Sequence, residues 1–413
     1  MLSSIKSLSY KKKTIFLLMM VVLSIIIFFA NYDGDIDSYN TTILALNYTY
    51  GFTSRGLIGT IYYFFDMILP VSMYTPNSAK AFLFISTLLL AVVLFVLVYE
   101  VIKQCHINHI LHVEILLMFL IVATISTYFG GWNFGRVDIY MIMISLLSAI
   151  LFIHGKCEWL IIPLSALGVM MHQGYVFMYY NIILALLIWG IFSRKDKRKK
   201  YIIIAITSLI ICSVLFLYFE LFSHNYVDNT VYDQVAQLSA NMSEDGEYHK
   251  TLLAHEILGV DLSGVEHEYH MKNLAEIIIF VAFMLPYIIM FFKLMIQVFH
   301  NANKKADKWK YAFLYLGALT MLPDYLIKVD YGRWIMSTIA YYLVIGCFLY
   351  IKDEDFARNA TDYLEGVKKR FIIYPLLIVY PVFFVPYLDV NIDSITAIFG
   401  HVANREILHW WTF

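Results

Sequence analysis

Apolar runs long enough to cross a bilayer recur along this chain, and few folds accommodate them. They are read at 14–30, 79–102, 111–128, 137–154, 159–171, 175–192, 201–219, 273–298, 311–323, 334–351 and 371–388. A helix needs about 20 apolar residues to span a hydrocarbon core roughly 30 Å thick. Within that core every backbone polar group must be satisfied inside the protein, which leaves helices or closed barrels. Runs that are apolar on every face, without alternation, select helices. The expectation is an all-α polytopic membrane protein with about 11 transmembrane helices, in a range of about 10 to 12, forming a single integral membrane domain. Composition agrees: 61% of residues are hydrophobic and 15% charged, too little polar surface for a water-soluble chain of 413 residues. The runs 159–171 and 311–323 are short, which predicts tilted or re-entrant segments. The first run follows Lys11–Lys13 and precedes Asn31-Tyr32-Asp33-Gly34 with no small-x-small site. It reads as a retained span, not a cleaved signal peptide.

Orientation follows from the basic residues. With the N-terminus in the cytoplasm, 22 of the 30 Lys and Arg residues fall on the cytoplasmic side. The run Arg194-Lys195-Asp196-Lys197-Arg198-Lys199-Lys200 dominates that bias. An anionic-lipid patch is the competing reading of the same run. The extracytoplasmic side then holds the longer loops. Residues 31–78 include an amphipathic stretch, Gly56 to Leu69, expected to lie as an interfacial helix. Residues 220–272 form a large loop with ten acids, two lysines and five histidines, and Tyr248 to Val260 reads as a short surface helix. The segment 389–413 is also read as external, its His409-Trp410-Trp411-Thr412-Phe413 an aromatic interface anchor.

Several chemistries find no support. Cys105, Cys157, Cys212 and Cys347 are dispersed and read as packing residues. There is no G-x-x-x-x-G-K-[ST], and His255-Glu256-Ile257-Leu258-Gly259 lacks the second histidine of a zinc-protease helix. His267-Glu268-Tyr269-His270 reads as part of a solvated acidic loop, and no aromatic-basic surface suggests nucleic acid. No cofactor is expected; a divalent cation is the one option left open.

No ionisable residue lies near the centre of any span, which weighs against an ion-coupled transporter. Polar residues gather at the extracytoplasmic ends instead. Three arginines adjoin glycine there: Thr53-Ser54-Arg55-Gly56, Asn133-Phe134-Gly135-Arg136 and Asp330-Tyr331-Gly332-Arg333-Trp334. A guanidinium offers a planar fork for phosphate oxygens, and glycine permits close backbone approach. A single such arginine more often snorkels to headgroups; three on one face point to a shared pyrophosphate. Arg55, Arg136, Arg333 and Lys328 are the expected anion ligands, with Asp138 and Gln173 beside them. Carboxylates accompany them in Asn31-Tyr32-Asp33-Gly34-Asp35-Ile36-Asp37 and at Asp324 and Asp330. Their bland roles are loop solvation and N-capping. Asp35 and Asp330 are the candidate catalytic carboxylates, Asp330 being placed i,i+3 from Arg333. Met171-His172-Gln173-Gly174-Tyr175 interrupts an apolar hairpin, which makes His172 a second candidate base or donor, while a tight turn would equally explain Gly174.

In its numerous spans, large external loop, external arginines Arg55, Arg136 and Arg333, and abundance of Ile, Phe and Tyr, the chain resembles bacterial surface-polysaccharide polymerases of the Wzy and EpsG-like kind. The likeness covers most of the chain without a diagnostic short motif, and the strongly acidic loop departs from the arginine-bearing loops of that family. What it implies is joining of oligosaccharide repeat units carried on undecaprenyl pyrophosphate, at the outer face of a bacterial cytoplasmic membrane. The implied partners are a polyprenyl-linked glycan, membrane lipids and other polysaccharide-assembly proteins. Two alternatives stand beside it: a GT-C-type transferase using polyprenyl-phosphate sugars, and a lipid-linked oligosaccharide flippase or other transporter.

Overall fold

In the computed structural model the described residues are 22, 36–104, 129, 134–223, 228–243, 249, 253, 289, 291–302, 304–323 and 331–368. Among them the chain is helical, with no strand. The helices are α1 (Ser38–Ala45), α2 (Gly56–Ile68), α3 (Pro76–Gln104), α4 (Asp138–His154), α5 (Ile161–Met171), α6 (Tyr175–Met178), α7 (Tyr180–Ser193), α8 (Arg198–Phe222), α9 (Asn229–Ala240), α10 (Lys305–Leu316), α11 (Tyr331–Lys352) and α12 (Glu354–Lys368). Among the described residues, three stretches are long and apolar enough to cross a membrane: Pro76–Leu97, Lys195–Phe222 and Arg333–Lys352. The runs read at 14–30, 111–128 and 371–388 lie outside the described residues, Val22 excepted, as does most of 273–298.

Helix α7 sits at the centre, packed on α4, α5, α8, α10 and α11. Outer helices carry apolar rows on their free faces, such as Ile203, Ile206, Ile210, Val214 and Leu217 of α8. That inverted polarity suits a hydrocarbon surround. The run expected as one span over 175–192 is broken. Tyr179, at φ −128° and ψ −18°, separates α6 from α7. The Tyr179 carbonyl at the break accepts hydrogen bonds from the Ile182 N–H at 3.2 Å and from Ser145 Oγ at 2.9 Å, so it is satisfied inside the protein as an apolar surround demands. The run expected at 311–323 is α10, which starts earlier at Lys305, followed by a tighter turn over Gly317–Met321.

Two ends of the bundle follow from the helix directions. α4 runs from Asp138 to His154, 17 residues or about 26 Å. Below it, Glu158 is fully buried and ligated by Arg194 at 3.4 Å, by Tyr201 Oη at 2.6 Å and by Lys200. α11 runs in the same direction to Asp353, which takes Lys310 Nζ at 2.6 Å, Tyr311 Oη at 2.8 Å and Trp189 Nε1 at 3.3 Å. Asp353 also caps α12 through the Phe356 N–H at 3.0 Å. This ionic layer, with the Arg194–Lys200 run, lies opposite the end that carries Asp138 and Arg333. Between the two ends, α4, α7 and α11 hold no charged side chain.

The stretch read as interfacial is α2. Its Gly56, Ile58, Gly59 and Tyr62 are buried, while Phe64, Met67 and Ile68 are exposed. α1 fits against it because Gly59 has no side chain: a Cβ there would lie 1.9 Å from the Leu46 carbonyl oxygen. Gly59→Ala is therefore expected to push α1 and α2 apart and cost about 1–3 kcal/mol. Thermal unfolding of the detergent-solubilised chain measures this, and an unshifted midpoint would refute the packing.

Candidate functional site

The polar end is assembled from five short segments, joined by side-chain contacts. α1 is the hub. Asp37 caps it by accepting from the Tyr39 N–H at 3.0 Å, so this acid of the Asp33–Asp37 cluster serves as an N-cap. Tyr39 Oη accepts from Arg55 Nη1 at 3.1 Å. Asn40 Nδ2 donates to the Phe134 carbonyl at 2.8 Å. That ties α1 to the turn bearing Gly135 and Arg136. Ser54 Oγ, next to Arg55, donates to Gln173 Oε1, and Tyr48 Oη reaches the Met170 carbonyl at 3.4 Å. Across the turn, Arg333 of α11 grips Asp138, the first residue of α4: Nη2 to Oδ2 is 2.8 Å and Nε to Oδ1 is 3.3 Å.

A hydrogen-bonded path thus runs from Gln173 through Ser54 and Arg55 to Tyr39 and Asn40, then along the 134–138 turn to Asp138 and Arg333. Three arginine-bearing segments and the His172–Gln173 turn share one end of the bundle. Arg55 and Arg333 are buried and Arg136 half-buried. Asp35, Lys328 and Asp330 lie outside the described residues.

Particulars differ from the sequence reading. Asp138, expected beside the substrate, is fully buried beneath the Arg333 fork. The pair combines one hydrogen bond, Nε–H to Oδ1, with the close ionic contact of Nη2 and Oδ2. Such a charge-assisted pair in a poorly solvated site is strong, so Arg333 is held by the protein itself. The glycines beside the arginines make room for protein. A Cβ on Gly56 would strike the Tyr48 ring at 2.7 Å, and one on Gly135, at φ +83°, would meet Leu83 at 2.6 Å. Arg55 itself adopts the left-handed region, φ 63°, as the N-cap of α2 with no side-chain cap bond. A non-glycine residue there is sparsely populated and strained. At His172, Nδ1 accepts from the Gly174 N–H at 2.8 Å. The occupied Nδ1 places the proton of a neutral ring on Nε2, which makes it a donor.

Two buried polar atoms of this end, Asn40 Oδ1 and Thr53 Oγ1, lack a hydrogen-bond partner. Such atoms cost about 1–3 kcal/mol each when unsatisfied, a demand that water or a hydroxyl-bearing ligand meets. Sequence reasoning missed Tyr39 and Asn40, whose roles depend on contacts 16 and 94 residues away. It also missed His249, which fell within the surface helix read over Tyr248 to Val260. His249 is fully buried: Nδ1 lies 2.8 Å from Ser239 Oγ and 3.2 Å from Thr42 Oγ1. Ser239 in turn touches Thr41 Oγ1 at 2.9 Å. This part of the large loop, α9 with His249, is therefore docked on α1. The surface helix read over Tyr248 to Val260 is otherwise outside the described residues.

No protein-family model matches this chain, no curated protein matches its sequence, and no solved structure matches its fold.

Proposed function

We propose that the chain is a multi-pass protein of the bacterial cytoplasmic membrane, with its N-terminus inside, that polymerises polyprenyl-pyrophosphate-linked oligosaccharide units at the outer face. The supporting observation is the gathering of the Arg55, Arg136 and Arg333 segments and the His172–Gln173 turn at the end of the bundle opposite the Arg194–Lys200 run. By the positive-inside tendency, the Arg194–Lys200 end faces the cytoplasm, and the arginine site then faces outward. Charge-free interiors of α4, α7 and α11 favour this over ion-coupled transport.

In the reaction, an acceptor sugar hydroxyl attacks the anomeric carbon of the donor unit. The new C–O bond replaces the bond to the pyrophosphate, which leaves with both bonding electrons. Its developing negative charge is what arginines stabilise. In this reading Arg55 and Arg136 contact the anion directly, and Arg333, oriented by Asp138, is with it a positioning residue. Asp35 or Asp330 takes the hydroxyl proton. His172, donating from Nε2, and the open Asn40 and Thr53 oxygens contact glycan hydroxyls.

The test uses Arg55→Ala and Arg136→Ala in a host that makes the polymer. Chain elongation is expected to fall by about a hundredfold, with lipid-linked single repeat units accumulating on the outer leaflet while the protein remains in the membrane. Full-length polymer in both variants would defeat the proposal. Precursor retained on the inner leaflet would favour flipping.

A further inference from the structure

We infer that the turn between α4 and α5, together with the α7–α8 connection, is a docking surface for anionic phospholipid headgroups in the leaflet at the basic end of the bundle. The inference requires the chain to span a membrane and is independent of the reaction at the other end. Arg194–Lys200 holds six cations against the single carboxylate of Asp196, and Lys156 adds another cation from the neighbouring turn. The structure concentrates them. Gly155, at φ +66°, ends α4 so tightly that a Cβ there would lie 3.7 Å from Arg194 Nη1 and 3.8 Å from Lys197 Nζ. Glu158, fully buried, draws in Arg194 and Lys200 from the far side of this turn. Its single charge cannot balance the cluster, and Lys156, Lys195, Arg198 and Lys199 remain exposed.

The occupant is a lipid surface, as the neighbours show. Trp159 and Leu160 project into the surroundings one turn from the cations, and Lys200 Nζ lies 5.7 Å from the Trp159 ring centroid. The apolar outer face of α8 begins at Ile203, one turn beyond Lys199. An exposed tryptophan between a basic cluster and an apolar belt sits at headgroup depth. Phosphates at that depth belong to lipids, and each nearby lysine adds attraction to an anionic leaflet.

The full-length chain is reconstituted in nanodiscs of phosphatidylcholine with or without phosphatidylglycerol. Lipid retained through detergent re-extraction is then quantified by native mass spectrometry. Wild type is expected to keep phosphatidylglycerol in preference to phosphatidylcholine. Lys195→Gln/Lys199→Gln should lower that preference about fivefold per lysine, and Lys304→Gln/Lys308→Gln, which removes equal charge elsewhere, should leave it unchanged. Equal retention of both lipids by wild type overturns the inference, and this arm needs no variant. An equal drop in the two double variants overturns it too, since net charge would then suffice. Displacement of phosphatidylglycerol by millimolar inorganic phosphate at constant ionic strength overturns it in favour of a soluble-anion site.

Discussion

Asp138→Ala is expected to destabilise the chain by about 3–5 kcal/mol, because it strands the Arg333 guanidinium inside the bundle. The two side chains are 0% and 9% exposed and meet through two contacts, so neither charge has water to fall back on. Arg333→Ala should cost a similar amount by leaving Asp138 uncompensated. The apolar double replacement Asp138→Leu/Arg333→Met should recover most of the loss, since removing a buried pair together is far cheaper than breaking it. Chemical denaturation in detergent gives these values. A cost under about 1 kcal/mol for either single change would show that the pair is not desolvated. The double variant also separates structure from chemistry. If it is stable but makes no polymer, the pair acts on the site. If it is stable and makes full-length polymer, the positioning role assigned to Arg333 and Asp138 is wrong.

A comparable loss, about 3–5 kcal/mol, is expected for Asp353→Ala at the opposite end, where Lys310 is only 5% exposed. This site also carries a pH signature. Burial pushes the Asp353 carboxyl up. The Lys310 charge, with hydrogen bonds from Lys310, the Phe356 N–H and Tyr311, outweighs burial and holds it below the ordinary carboxylate value. A carboxylate with a lowered folded pKa contributes stability in full above its unfolded value, about 4, and loses it as pH falls through the lower folded one. Glu158 shifts in the same direction: burial raises it, and hydrogen bonds from Lys200 and Tyr201 with the Lys200 and Lys197 charges bring it below normal. Stability should be flat above about pH 5 and decline in acid. In Asp353→Asn the acid decline should be shallower, and an unchanged slope would remove Asp353 from the account.

Much of the architecture was legible because hydropathy is a local property. A run such as 137–154 has no stable state in hydrocarbon except a helix, so its residues alone specify the element. The observed α4 begins one residue later, at Asp138. Legibility weakened where backbone polar groups find partners away from their own helix. The break at Tyr179 is sustained by Ser145 from α4, and nothing in the 175–192 run announces it. α12 escapes a search for long apolar runs because its apolar side, Phe356, Ala357 and Ala360, is small and flanked by charge.

The candidate site divides the same way. That arginines, a histidine and carboxylates lie at chain turns is written in the sequence, because charged groups are expelled from the apolar runs and must collect at their ends. Which of them meet is another matter. Asp138 and Arg333 are 195 residues apart, and their pairing depends on α4 and α11 packing with their first turns level. Tyr39 and Asn40 became organising residues only because Gly59 lets α1 lie against α2. Local free energy of transfer sets where a residue sits in depth, and this the chain encodes residue by residue. Lateral neighbours depend on how helices pack against one another, a property of pairs of helices that no single stretch of sequence contains.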